Sequence, residues 1–116
     1  MMKKLLTLVA LAVAAGAAQA QEVKGDVAAA QGKVAMCIGC HALPGYRASF
    51  PELYTVPLLG GQNAKYIENA LHAYKKGDRK HPTMRSIAAS LSDKDIVDLS
   101  AYYAGMTPQT ANNPTK

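Results

Sequence analysis

Residues 37–41 read Cys-Ile-Gly-Cys-His, and they combine rare residue types at a spacing that few chemistries require. Two thiols separated by two residues and followed at once by an imidazole are typical of covalent haem attachment. On a turn of helix, the sulfurs of Cys37 and Cys40 can bond to the two vinyl groups of one porphyrin. His41 is then held below the iron as its proximal ligand. The chain has no other cysteines, so this interpretation uses both thiols.

Three other uses of a Cys-x-x-Cys pair agree less well with the surrounding sequence. A thioredoxin-like redox pair needs a strand before it, whereas the residues ahead of Cys37 are rich in alanine and helical in character. A structural zinc site needs four ligands, but neither a second cysteine pair nor a His-x-x-x-His pattern follows. A disulfide across two residues would be strained and would close almost no loop. Redox and metal use stay open as alternatives to haem.

The first twenty residues have the organisation of a secretory signal peptide. Lys3 and Lys4 precede an apolar run at 5–15, and the sequence Ala-Gln-Ala ends at position 20. The apolar run is short for a bilayer span, although an uncleaved membrane anchor is the alternative. We therefore expect cleavage before Gln21, a periplasmic location, and a net charge that falls from the formal +5 of the whole chain to +3. Export excludes nucleic acid as a partner.

The chain left after cleavage is long enough for one small domain, which we expect to span residues 21–106. A core of that size is marginal, and a haem would supply a large apolar solid for it to pack around. Residues 107–116 contain two prolines and two asparagines and are predicted to be a flexible tail.

Helical patterns dominate the domain, and no strand-type alternation is found. The predicted segments are 26–36, which runs into the haem motif, 64–76, a shorter run at 84–91, and 92–104. Asn63 is the expected N-cap of the second segment, and Ser92-x-x-Asp95 resembles a capping box for the last. The intervening residues 42–62 are dense in proline and glycine, and we expect them to form an ordered loop over one face of the haem.

The second axial position of the iron decides between electron transfer and small-molecule chemistry. The available side chains are Met36, His72, His81, Met84 and Met106. Met84 is favoured because it follows a loop that can pass over the far face of the haem, although a core methionine is the alternative. Bis-histidine ligation through His81 is the competing hypothesis. Because Pro82 restricts His81 to an extended backbone, we expect His81 to be an exposed loop residue.

Positive charge is concentrated just before and beside Met84. This basic group comprises Lys65, Lys75, Lys76, Arg79, Lys80 and Arg85. If it surrounds an exposed haem edge, it would steer the protein towards an acidic patch on a redox partner. The alternative is a solvated helix end that complements the helix dipole. The sequence offers no acid/base pair or evident substrate pocket, so an enzyme is disfavoured.

Together these motifs resemble the class I c-type cytochromes, and among them the small bacterial single-haem proteins of the c-553 and c-four type. The resemblance covers about residues 25–105. It depends on the haem motif, on Pro57–Gln62 as a P-x-L-x-G-Q pattern, on Met84, and on residues 91–103. It implies an all-α class I cytochrome c fold, with three to four helices around one covalent haem. The N- and C-terminal helices of this family cross, and Ala30 and Tyr102 take the places of its small and aromatic crossing residues.

The resemblance also implies individual roles. Haem c would be bound at Cys37 and Cys40, with His41 as the proximal and Met84 as the distal ligand of its iron. The carbonyl of Pro57 would accept a hydrogen bond from the other nitrogen of His41 and fix the ring.

The implied function is one-electron carriage in the periplasm by a protein that is not an enzyme. Its partners would be redox proteins, such as a terminal oxidase or a membrane cytochrome complex, that dock near the basic group. One alternative is a cytochrome subunit of a larger dehydrogenase or oxidase complex. Another is a peroxidase or gas-binding haem protein, which requires an open or displaceable sixth position.

Overall fold

The computed structural model of the chain describes residues 24–47 and 55–106. Within these ranges the fold is all-α, as predicted, with helices α1 (Val27–Gln31), α2 (Ala35–His41), α3 (Ala64–Lys76), α4 (Pro82–Ala89) and α5 (Asp93–Ala104). An isolated antiparallel bridge joins Arg47 to Thr55. The predicted signal peptide and tail lie outside the described residues. No helix in the described ranges is long and apolar enough to cross a membrane.

Local sequence sets the boundaries of α3 and α5, and both predictions are confirmed. Asn63 caps α3 by accepting the N–H of Tyr66 at 3.0 Å. Gly77 ends that helix at a φ of 88°, a left-handed conformation that glycine adopts at little cost. At the start of α5, the side chains of Ser92 and Asp95 each accept the other residue's backbone N–H, which completes a capping box.

The N-terminal helix is divided, which is why the fold has five helices instead of the expected three to four. The predicted continuous segment becomes α1 and α2, with a turn at residues 32–34 between them. In this turn the N–H groups of Lys33 and Val34 share the carbonyl of Ala30, at 2.9 and 3.0 Å. Gly32 is the C-cap of α1, and glycine costs about 1 kcal/mol relative to alanine inside a helix. The bond from Lys33 to Ala30 spans three residues instead of the four of an α-helix, so the chain is wound more tightly at this turn.

The apolar core lies where α5 packs against α1 and α3, while α4 packs on α3. Its buried members are Ala30, Val34, Ile67, Leu91, Ile96, Leu99, Tyr102 and Tyr103. Five further side chains pack against this cluster but stay half-exposed: Cys37, Ile38, Leu59, Leu71 and Met106. Two of these belong to the Cys-x-x-Cys-His helix, so that helix borders an incompletely covered side of the core.

A buried carboxylate joins the two ends of the domain. Asp98 is 1% exposed, and its Oδ1 accepts the backbone N–H of Asp26 at 2.7 Å. Lys94 Nζ donates to both carboxylate oxygens, at 2.6 and 2.9 Å. The hydrogen bonds from Lys94 and Asp26 hold the pKa of Asp98 below its ordinary value, although burial opposes them. Asp26 also caps α1, so this contact ties the start of α1 to the middle of α5.

The backbone of the N-terminal segment approaches α5 closely at Gly25. A Cβ at this position would lie 2.5 Å from Ala101 Cβ and 2.6 Å from Val97 O, so only glycine fits without a shift. Ala30 is fully buried in the same core as Tyr102, as the resemblance implies for the crossing. The N- and C-terminal segments therefore meet at two small residues, of which only Ala30 was identified from the sequence.

Gly25→Ala is predicted to lower the free energy of unfolding by about 2 kcal/mol, because overpacking a close contact typically costs about 1–3 kcal/mol. Gly32→Ala is the matched control, since its nearest neighbour would be Ala29 O at 3.8 Å. Alanine is the better helix former, so the control should be unchanged or more stable. Urea denaturation measures both variants. Equal destabilisation at the two positions would contradict a close approach at Gly25.

Asp98→Asn is predicted to remove a share of stability that depends on pH. Because the pKa of Asp98 is lower in the folded than in the unfolded chain, its contribution is complete above the ordinary aspartate value of about 4. That contribution is lost as the pH falls through the folded-state pKa. The difference in unfolding free energy between wild type and variant should therefore be larger at about pH 7 than at about pH 3. Urea unfolding at both pH values tests this, and a constant difference would contradict it.

Candidate functional site

The thiols of Cys37 and Cys40 lie three residues apart on α2, on one side of the helix, and are not joined in a disulfide. Burial raises the pKa of Cys37, the nearby Tyr103 hydroxyl opposes this, and Cys40 adds a smaller increase. A redox-active or zinc-binding cysteine needs a stabilised thiolate. The environment of Cys37 instead favours the neutral thiol.

His41 ends α2, and its half-buried ring is fixed by the loop that follows. Its Nδ1 lies 2.6 Å from the carbonyl oxygen of Pro57. A carbonyl only accepts hydrogen bonds, so the proton is on Nδ1 and the lone pair of Nε2 is left for a metal. Burial lowers the pKa of His41, the Pro57 carbonyl raises it, and the positive form of His81 lowers it further. Burial thus favours the neutral imidazole, which is the form that binds metals.

The first turn of α4 follows His81 directly. Met84 is half-buried in this turn, three residues after His81. The role of Met84 as the distal ligand stays a prediction.

His81 is not the exposed loop residue that we expected. It is half-buried and is the N-cap of α4, with Nδ1 accepting the backbone N–H of Met84 at 3.2 Å. The expected extended backbone is present, at φ −166° and ψ 107°. The prediction was wrong because Pro82 also starts a helix: proline at the first helical position is preorganised for it, and the residue before it becomes the cap.

The other three candidate ligands have different surroundings. Met36 lies on α2 and is 42% exposed. His72 lies on α3, where its Nδ1 is 3.9 Å from Asp93 Oδ1. Met106 follows α5 and packs against the apolar core.

The residues at this site fit a haem. They offer an imidazole with a free Nε2, two free thiols on one helix, and half-exposed apolar side chains that an aromatic macrocycle would cover. No cluster of three or more histidine, cysteine, aspartate or glutamate side chains that could hold a bare metal ion occurs in the described part of the chain. These side chains therefore suit an iron whose equatorial ligands are the nitrogens of a porphyrin, so that the protein has to supply axial ligands only.

Tyr103 is a neighbour of the site that the sequence analysis did not assign to it. Its hydroxyl is buried and interacts with the Cys37 thiol, a weak hydrogen-bonding group. It has no hydrogen bond of ordinary geometry within the described residues. Burial raises the pKa of Tyr103 strongly, so the phenol stays protonated. Helical spacing placed Tyr103 on the apolar face of α5, but nothing in the sequence showed that this face meets Cys37.

The basic group divides into paired and exposed members. Lys65 Nζ lies 3.0 Å from Glu68 Oε1, and Lys75 Nζ contacts Asp93 Oδ1 at 3.1 Å and the Leu91 carbonyl at 2.7 Å. The remaining four form no ion pair among the residues described here, and all are exposed: Lys76, Arg79, Lys80 and Arg85. This exposed basic patch begins at Lys76, the last residue of α3, and continues onto α4.

Comparison with known proteins gives the family. The chain is 40% identical over 83 residues to cytochrome c-554(548) of Halomonas halodenitrificans, which covers 69% of this chain and 95% of that protein. It is 36% identical over 97 residues to cytochrome c4 of Pseudomonas aeruginosa, covering 84% of this chain and 46% of the relative. It is 31% identical over 101 residues to cytochrome c-553 of Helicobacter pylori, across 95% of that protein. No family model matches the chain.

A solved structure agrees with these relatives. Reduced recombinant cytochrome c4 from Pseudomonas stutzeri aligns with a TM-score of 0.50 and 39% identity, over 61% of this chain and 38% of that one. The chain thus spans nearly all of cytochromes c-554(548) and c-553 and about half the length of the two cytochromes c4 of Pseudomonas aeruginosa and Azotobacter vinelandii. It belongs to the bacterial c-type cytochromes, has their all-α class I fold, and takes covalently attached haem c as its cofactor.

Proposed function

We propose that this protein is a periplasmic one-electron carrier, in which Cys37 and Cys40 hold the haem and His41 and Met84 are the axial ligands. The haem supplies a ferric/ferrous couple when bound. The observation that carries this proposal is the geometry of α2, where His41 keeps Nε2 free because its Nδ1 lies 2.6 Å from the Pro57 carbonyl oxygen, on the same helix as two free thiols. Membership of the c-type cytochromes supports it.

The chain's own contribution is to keep the ligands in place. The Pro57 carbonyl fixes the ring of His41, and the half-buried Met84 is held in a helix that packs on α3. A thioether ligand stabilises ferrous iron and raises the reduction potential relative to a second histidine. When neither ligand has to leave, little structure reorganises on electron transfer. This arrangement favours a carrier over a peroxidase or gas-binding protein, and over enzymes in general.

One relative favours a particular class of electron donor. The chain is 35% identical over 75 residues to the thiosulfate dehydrogenase electron acceptor of Stutzerimonas stutzeri, covering 60% of this chain and 32% of that protein. By analogy, a periplasmic dehydrogenase is a candidate donor for this chain. The second candidate function is accordingly that of a cytochrome subunit bound permanently to such an enzyme.

The exposed basic patch is the proposed docking surface for redox partners. Its four side chains have no ion-pair partner in the described ranges and follow one another from the end of α3 onto α4, the helix that carries Met84. A surface of one charge sign raises the rate of encounter with an oppositely charged partner, in a salt-dependent way. The partners are therefore expected to present acidic surfaces.

Met84→Ala is predicted to remove the sulfur-to-iron charge-transfer band from the visible spectrum of the ferric protein, because no thioether would remain on the iron. The ferrous variant should also bind carbon monoxide, which the six-coordinate wild-type protein should not. Met36→Ala is the control, since Met36 is exposed on α2 and should leave the band unchanged. A band that persists in Met84→Ala would exclude Met84 as the ligand.

Reversing charge in the exposed basic patch is predicted to slow oxidation of the ferrous protein by anionic ferricyanide. The variant combines Lys76→Glu with Lys80→Glu. We expect its rate constant for oxidation to be about tenfold lower than that of the wild type at low ionic strength, and the difference should diminish with added salt. The matched control combines Lys24→Glu with Lys65→Glu and makes the same change in net charge outside the patch. Stopped-flow absorbance measures both. Equal slowing in the two would show that net charge, and not the patch, steers the oxidant.

A further inference from the structure

We propose that His81 is a positioning residue, which holds Met84 in register with the iron by a side-chain hydrogen bond and is not itself a ligand. This inference depends on the proposed function, because it presupposes that Met84 is the distal ligand.

The hydrogen bond connects His81 directly to the backbone of Met84. His81 Nδ1 accepts the N–H of Met84 at 3.2 Å, and the His81 carbonyl accepts the N–H of Arg85 at 2.8 Å. Nδ1 therefore carries its lone pair towards the helix, and the ring proton is on Nε2. Serine, threonine, aspartate and asparagine are the usual N-caps. A histidine here makes the same bond with a larger and more rigid group.

The ring is itself anchored to another helix. The rings of His81 and of Tyr74 on α3 pack in a T-shaped arrangement, with centroids 6.2 Å apart and planes at 76°. The guanidinium of Arg79 lies over the Tyr74 ring, with its central carbon 4.8 Å from the ring centroid. His81 thus links the backbone of Met84 to the C-terminal half of α3, across the turn between the two helices.

This link addresses a specific weakness of methionine as a ligand. A thioether is neutral and is exchanged for exogenous ligands when its backbone can move away. Met84 lies in the first turn of an eight-residue helix, where N–H groups have no partner within the helix. The cap from His81 satisfies one of these groups at Met84 itself. Loss of the cap is therefore expected to favour the state in which Met84 is released from the iron.

The experiment measures cyanide binding to the ferric holoprotein, because cyanide competes with Met84 for the iron. His81→Ala removes both the cap and the ring, His81→Asn keeps a cap without the ring, and His81→Phe keeps a ring against Tyr74 without the cap. We expect cyanide to bind about fivefold more tightly to the alanine and phenylalanine variants, which is the size of one N-cap. The asparagine variant should return to within about twofold of the wild-type affinity.

A second cap serves as the control for general destabilisation. Asn63→Ala removes the bond to Tyr66 N–H at the start of α3, and should leave cyanide affinity unchanged. The temperature at which the sulfur-to-iron band disappears, compared with that of unfolding by circular dichroism, gives an independent readout. In His81→Ala the temperature at which the band disappears should fall more than the temperature of unfolding.

The outcomes separate this inference from the proposed function. Unchanged cyanide affinity in His81→Ala, wild-type behaviour of His81→Phe, failure of His81→Asn to restore affinity, or an equal effect of Asn63→Ala would each overturn the positioning role while leaving Met84 as the ligand. A wild-type ferric protein without the sulfur-to-iron band would instead overturn Met84 ligation, and this inference with it.

Discussion

Within the described residues, the apolar core is incompletely covered on the side where α2 borders it, and the rest of the structure follows from that constraint. The buried cluster is small, and residues from α2, the loop before α3, α3 and the end of α5 pack against it while staying half-exposed. A chain of this length gains limited stability from apolar burial alone. A porphyrin joined to α2 would cover that side, so the cofactor serves the fold as well as the redox chemistry.

Three anchors determine where α2 presents its thiols and imidazole. The carboxylate of Asp98 holds the start of α1, and Gly25 allows that segment to approach α5 closely. Lys33, in the turn before α2, forms an ion pair with Asp95 at the start of α5. At the other end of α2, the Pro57 carbonyl fixes His41. The haem motif is therefore held from both sides by parts of the chain that are distant in sequence.

Sequence reasoning succeeded wherever the determinant is local. The Cys-x-x-Cys-His spacing, the cap at Asn63 and the Ser92–Asp95 box each act within a few residues, and the structure places all of these elements as expected. The hydrogen bond between Asp98 and Asp26 joins residues 72 positions apart, so no periodicity or motif could indicate it. His81 was misjudged for another reason: its extended backbone was predicted correctly, but the helix that Pro82 begins turned that conformation into a cap.

The central claim is that one haem is covalently joined to Cys37 and Cys40 of the exported chain. Intact mass spectrometry of the protein purified from the periplasm, before and after acidic organic extraction, tests this most directly. The account predicts a chain that begins at Gln21, heavier than its amino acids by one haem, with both the mass and the colour surviving extraction. A protein with the mass of the polypeptide alone, or one that releases its haem into the solvent, would contradict it.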